Sequence, residues 1–206
     1  MSDENRQAHW DEVYTSKSEN AVSWFQESPA LSLELIKLAG ATSASAIVDV
    51  GGGASRVVDG LIANGFERVT VLDLSEAALA SAKTRLGPNA RLIQWITADV
   101  TKWEPSEDYD IWHDRAAFHF LAEAADRIAY TRRLKTALRS GGHFIIGTFA
   151  LDGPERCSGL PVIRYDAAGL SAEIGPEFEL IATRPHEHLT PRGATQRFQF
   201  STFRRT

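Results

Sequence analysis

Between residues 46 and 149 the chain alternates short β-branched runs with helix-like runs, and this rhythm restricts its fold more than any other feature. Segments 46–50, 68–72, 91–97, 109–113 and 143–149 read as strands. Between them lie helical patterns over 55–63, from Ser75 through Arg85, and over 123–138, the last closed by Ser140-Gly141-Gly142. Five βα-type units in series call for a parallel sheet covered on both faces. The tail breaks the rhythm, because the strand-like runs 178–189 and 196–204 are joined by TPRGA with no helix between them, which is a hairpin signal. Upstream, Ser28-Pro29 opens a helix with Leu31, Leu35 and Leu38 at helical spacing, and a shorter helix includes Trp10 and Tyr14. The expected class is α/β, a doubly wound sheet in one domain of 206 residues.

Composition removes several classes. No apolar stretch approaches the roughly 20 residues that span a bilayer. The opening MSDENRQAHW is polar and partly acidic, unlike a secretory or transit segment. With Cys157 alone there is no internal disulfide, so a cytoplasmic protein is expected. A net charge of −5 with scattered basic residues argues against nucleic acid as a partner.

The run IVDVGGGASR stops an apolar strand at Gly51, Gly52 and Gly53, in the first strand's turn, where doubly wound sheets bind ligands. A phosphate-binding loop needs GxxxxGK[ST], and neither the second glycine nor the lysine is present. A dinucleotide site needs GxGxxG, and Arg56 stands where its last glycine belongs. S-adenosylmethionine remains, a donor that presents an α-amino and α-carboxylate group to such a turn. Asp49 can accept from its ammonium, directly or through water, while glycine amides face the carboxylate. Asp73, ending the second strand, can accept both ribose hydroxyls. Asp99, ending the third, is within reach of the adenine amine, with Val100 supplying a backbone amide.

With IVDVGGGASR, VTVLDLSEAAL, ITADVTKW, YDIWHDRAAFHFL and LRSGGHFIIGTFA, the chain resembles the class I S-adenosylmethionine-dependent methyltransferases over nearly its whole length. That resemblance implies a Rossmann-like seven-stranded sheet of order 3-2-1-4-5-7-6 with its last strand antiparallel. It also implies a cap over 1–40, a cofactor-binding core over 45–150, and a substrate loop with hairpin over 151–206. The family's third glycine is Ser55 here. The resemblance extends the donor site to Ala54, Ser55, Leu74, Ser75, Asp114 and Arg115. The segment HWDEVYTSKSENAVSWF is similar to the entry segment of small heteroatom and protein-lysine methyltransferases, and places Trp10, Tyr14 and Trp24 over the donor's methionine end.

Methyl transfer from a sulfonium asks the protein to position the nucleophile and exclude water, and needs a base only if the acceptor arrives protonated. Asp114 and His119, at the end of the fourth strand, are the expected catalytic polar groups. The Asn-Pro-Pro-Tyr motif that holds planar nitrogens in relatives is absent there. The stretch 151–164 is expected to form part of a substrate lid with Arg156 or Arg164 facing an anionic group, and Cys157 within it to be a small buried residue. His186 and His188 point to one side of a strand without a third ligand, so no metal is expected. The expected activity is methyl transfer to N, S or O of a small molecule, with S-adenosylhomocysteine as product, by a monomer or weak dimer away from membranes. The alternatives are a protein-lysine methyltransferase, an NAD-dependent oxidoreductase and a non-catalytic S-adenosylmethionine-binding protein.

Overall fold

The computed structural model describes residues 3–206, with side chains from Asn5 onward. Its sheet is built on β1 (Ala46–Val50), buried at every position because helices cover both faces of this central strand. Successive residues of β1 feed opposite cores. Val48 and Val50 pack with Trp112, Tyr130, Leu134 and Phe144. Ile47 packs on the other face with Leu35, Ile36, Leu61 and Ile111.

Beside β1 lie β2 (Arg68–Asp73) and β4 (Tyr109–Arg115), both parallel to it, and β3 (Ile93–Thr97) extends the β2 side. On the far side β5 (Leu138–Phe149) pairs with β4, and β9 (Thr195–Arg205) inserts antiparallel between β5 and β8 (Phe178–Leu189). The order β3-β2-β1-β4-β5-β9-β8 is the expected 3-2-1-4-5-7-6 once the short pair β6 (Arg156–Cys157) and β7 (Leu160–Pro161) is set apart.

The helices α1 (Asp3–Ser16), α2 (Ala30–Leu38), α3 (Val57–Ala63), α4 (Glu76–Leu86), α5 (Ala124–Ala137) and α6 (Ala167–Ile174) complete the layers. The Ser75 hydroxyl caps α4 by accepting from the Ala78 amide at 3.1 Å, and donates in turn to Asp11 of α1 at 2.6 Å. That hydrogen bond ties the first helix to the sheet's ligand edge. Two of the boundaries that differ from expectation alter the connections. Pro29 caps α2 instead of starting it. The chain passes from α5 straight into β5 at Leu138, because that fully buried residue pairs with Tyr109, leaving Ser140-Gly141-Gly142 inside a strand with Gly141 at φ +78°.

Candidate active site

A cleft of about 920 Å³, counted to its open mouth, lies over the carboxyl tips of β1, β2 and β4. The turn after β1 forms its floor. Gly51 has φ +66°, and a Cβ there would stand 2.6 Å from the Ala117 Cβ. A Cβ on Gly53 would meet the Asp73 carboxylate at 2.7 Å. The glycines therefore answer to neighbouring protein groups as well as to any ligand.

Asp49 and His113 are direct partners across β1 and β4. One oxygen of Asp49, Oδ1, takes the His113 Nδ1 at 2.7 Å, and the Nε2 of that ring meets the Ser32 hydroxyl of α2 at 2.9 Å. All three side chains are buried. The second oxygen, Oδ2, is buried without a partner among the described residues. Asp49 borders a small recess off the main cleft together with Gly51, Gly52, Ser55, Tyr14, Trp24 and Arg115. The Arg115 guanidinium donates to the Trp24 carbonyl at 2.5 Å, and burial lowers its pKa to about 10, so it stays cationic.

Asp73 lies at the next strand tip and accepts from the Ser75 amide at 2.8 Å. Burial, reinforced by the nearby charges of Asp49 and Asp11, raises its carboxyl to about 7. The Tyr14 hydroxyl accepts from the Trp24 indole at 3.2 Å, and burial raises its pKa. Trp10 meets Trp24 at 5.8 Å and Phe120 at 4.9 Å between ring centroids, both edge to face, so α1 and the segment around Trp24 roof the cleft with aromatic surface. Beyond them Leu121, Phe149, Cys157 and Phe198 form an apolar end.

Of the residues expected from sequence, Trp10, Tyr14, Trp24, Gly51, Asp73, Leu74, Asp99, Val100 and Arg115 line the main cleft. Asp49, Gly52 and Ser55 border the recess, whereas Ala54 faces a separate small cavity near Phe25. Ser75 acts as the α4 cap. Asp99 is already engaged: Thr101 donates to its Oδ1 through backbone and hydroxyl, at 2.8 and 2.7 Å, and Arg6 of α1 pairs with its Oδ2 at 2.9 Å. Sequence reasoning missed Arg6, whose other arm reaches Asp126 at 2.9 Å. It also missed the apolar wall of Phe120, Leu121, Phe149 and Phe198.

Neither of the two groups expected to be catalytic lines the cleft. Asp114 faces the opposite side of β4, where it accepts from the Tyr130 hydroxyl at 2.7 Å and from the amides of Ala117 and Phe118. Burial raises its carboxyl to about 6. It holds the turn after β4 in place and touches no part of the cavity. His119 is fully buried behind Phe120 and Phe149, with ring centroids 4.5 and 4.8 Å away. Burial, helped by the Arg115 charge, lowers its pKa to about 3, so the imidazole is neutral.

The two arginines of the 151–164 stretch also face elsewhere. Arg156 donates to the Gly159 carbonyl and Arg164 pairs with Glu155 at 3.0 Å. Cys157 does reach the cleft wall, and burial pushes its thiol to about 11. His188 Nε2 meets the Ser23 carbonyl at 2.7 Å and His186 contacts the Gln26 amide at 3.4 Å, so both imidazoles pin the segment before α2. Among the described residues there is no cluster of three or more His, Cys, Asp or Glu suited to a metal, and no helix long and apolar enough to cross a membrane.

A sheet of this order with a cleft at the first strand tips is the class I methyltransferase fold, and residues 47–142 match the family model described as a methyltransferase domain. That match covers just under half of the chain. It is 30% identical over 95 residues to probable thiol methyltransferase 2 of Arabidopsis thaliana, covering 45% of this chain and 41% of that protein. It is 26% identical over 96 residues to nodulation protein S of Rhizobium fredii, covering 47% and 54%. The match thus spans about half the length of these curated relatives. In three dimensions it is similar to Burkholderia thailandensis 1,6-didemethyltoxoflavin-N1-methyltransferase, solved with that substrate and S-adenosylhomocysteine. The TM-score is 0.76 at 20% identity, over 100% of this chain and 91% of the other.

Proposed function

We propose that the protein transfers a methyl group from S-adenosylmethionine to a heteroatom, N, S or O, of a small molecule. The observation that carries this reading is the line of charges along the strand tips. An unpartnered buried carboxylate oxygen on Asp49 and the Arg115 guanidinium share one recess, and Asp73 lies at the next tip. The first two are the complement of a zwitterionic amino acid, and the third suits a sugar diol. Arg56 stands where a dinucleotide-binding turn has its last glycine, which disfavours a dinucleotide.

The donor supplies an activated methyl on a cationic sulfur. The chain's own residues bind its polar ends, orient it along β1, β2 and β4, and exclude water with Trp10, Trp24 and Phe120. The wall of Leu121, Phe149 and Phe198 suits an acceptor with an apolar body, and the names of the relatives above fit a small acceptor. With Asp114 and His119 directed away from the cavity, the reading gives neither a proton-transfer role.

The test is calorimetry with S-adenosylhomocysteine and NAD, followed by a coupled S-adenosylhomocysteine-release screen over thiols, amines, phenols and protein lysines. Micromolar binding of the homocysteine product and turnover of a small acceptor are expected. NAD binding with no response to either adenosyl ligand would overturn the proposal. Saturable binding without turnover of any acceptor would leave a donor-binding protein in place of an enzyme.

A further inference from the structure

The chain from Ser32 through His113 to Asp49 is fully buried, runs from α2 across two strands of the sheet, and ends on an oxygen that nothing among the described residues satisfies. Leaving a buried carboxylate oxygen unpaired carries a desolvation cost that folded proteins normally avoid. The geometry gives that cost a purpose. The Asp49 side chain has two rotatable bonds, and a free carboxylate could turn either oxygen to the recess. His113 fixes one oxygen and so directs the other toward the recess bordered by Arg115.

The ring itself is fixed from the far side. In the tautomer that donates from Nδ1 to Asp49, Nε2 accepts from the Ser32 hydroxyl, and the ring is held at both ends. One oxygen of the carboxylate is then left open. A metal-ligating carboxylate held by an outer partner follows the same logic, with an ammonium here in the place of the metal.

We propose that His113 and Ser32 are positioning residues for the α-ammonium group of the methyl donor, acting through Asp49. This inference rests on the S-adenosylmethionine reading above and deepens it, because it assigns to two buried residues outside the cleft a share of the affinity for one end of the ligand. It distinguishes the donor's amino-acid end from its adenosine end, which Asp73 addresses.

The experiment compares binding of S-adenosylhomocysteine with binding of 5′-methylthioadenosine, which keeps the adenosine and thioether but lacks the amino-acid end. The variants are Ser32→Ala, His113→Asn and His113→Leu, each first checked for a cooperative melt. Asparagine can still donate to Asp49 from nearly the Nδ1 position, whereas leucine cannot. His113→Leu is expected to weaken S-adenosylhomocysteine by about tenfold or more, the scale of a lost charge-assisted hydrogen bond, and leave methylthioadenosine unchanged. His113→Asn should recover most of the loss, and Ser32→Ala should fall between.

Equal weakening of both ligands in every variant would make the chain merely structural and overturn the proposal, as would unchanged affinity for both. Should His113→Leu fail to fold, the Asn and Ser32 variants decide it by the same comparison. Failure of the unmodified protein to bind either ligand would instead remove the donor reading itself.

Discussion

Replacing His119 with leucine tests whether this histidine serves packing or chemistry. In the folded protein the imidazole is wholly buried among Phe120 and Phe149, and its pKa is lowered from 6.5 to about 3 by burial first and by the Arg115 charge second. A group whose folded pKa is depressed in this direction stabilises the native state above its unfolded pKa. That stability is lost as pH falls from the unfolded value toward the folded one. Between about pH 7 and about pH 5 the unfolded chain takes up nearly one proton that the folded chain refuses, and integrating the uptake gives a loss of about 2 kcal/mol. With complete burial, no discount for solvent screening applies.

Urea unfolding of both proteins at the two pH values measures this directly. The variant should lose about 2 kcal/mol less than the wild type on acidification, whatever its stability at neutral pH. Methyl transfer by the variant should continue, since the ring does not reach the cleft. A pH dependence of stability unchanged within a few tenths of a kcal/mol would refute the burial argument. Abolished turnover with intact donor binding and an intact fold would restore His119 to the chemistry.

Gly51→Ala should destabilise the protein by at least about 2 kcal/mol in urea unfolding, because φ +66° and a Cβ 2.6 Å from Ala117 act together. A near-neutral effect would mean that the turn can relax. Cys157, with its thiol pushed from 9.0 to about 11, should react with a disulfide reagent about 100-fold more slowly than a free thiol, and labelling at the ordinary rate would contradict its burial. Asp73 titrates near 7, and its ionised form is the better acceptor for hydroxyls, so affinity for S-adenosylhomocysteine should fall as pH drops below that value. Asp73→Asn should weaken binding by about tenfold and flatten the profile, and a wild-type affinity that is constant across this range would exclude the ribose role.

The sheet and three of its acidic tips were legible in the sequence because each parallel strand ends at the same edge, so Asp49, Asp73 and Asp99 had to converge. What spacing could not give was side. The period of two along β4 separates Asp114 from Arg115 without saying which one faces the cavity, and tertiary packing decided that Tyr130 takes the acid. The α5 to β5 junction was misread because Ser140-Gly141-Gly142 looks like a helix stop, whereas burial of Leu138 draws the chain into the sheet earlier. Arg6 carried no local signal at all, since its partner Asp99 lies 93 residues away.

The alternation along β4 has a consequence for how narrowly this strand is specified. Trp112 and Asp114 turn toward α5, while His113 and Arg115 turn toward α2 and the recess. A shift of one residue in its pairing with β1 would exchange these sets, presenting an anion where a cation now stands and driving a guanidinium into the aromatic core. The polarity of the recess is thus written in the hydrogen-bond ladder between two central strands, and a misregistered chain would set two carboxylates side by side where the native one pairs Asp49 with a guanidinium across the same opening.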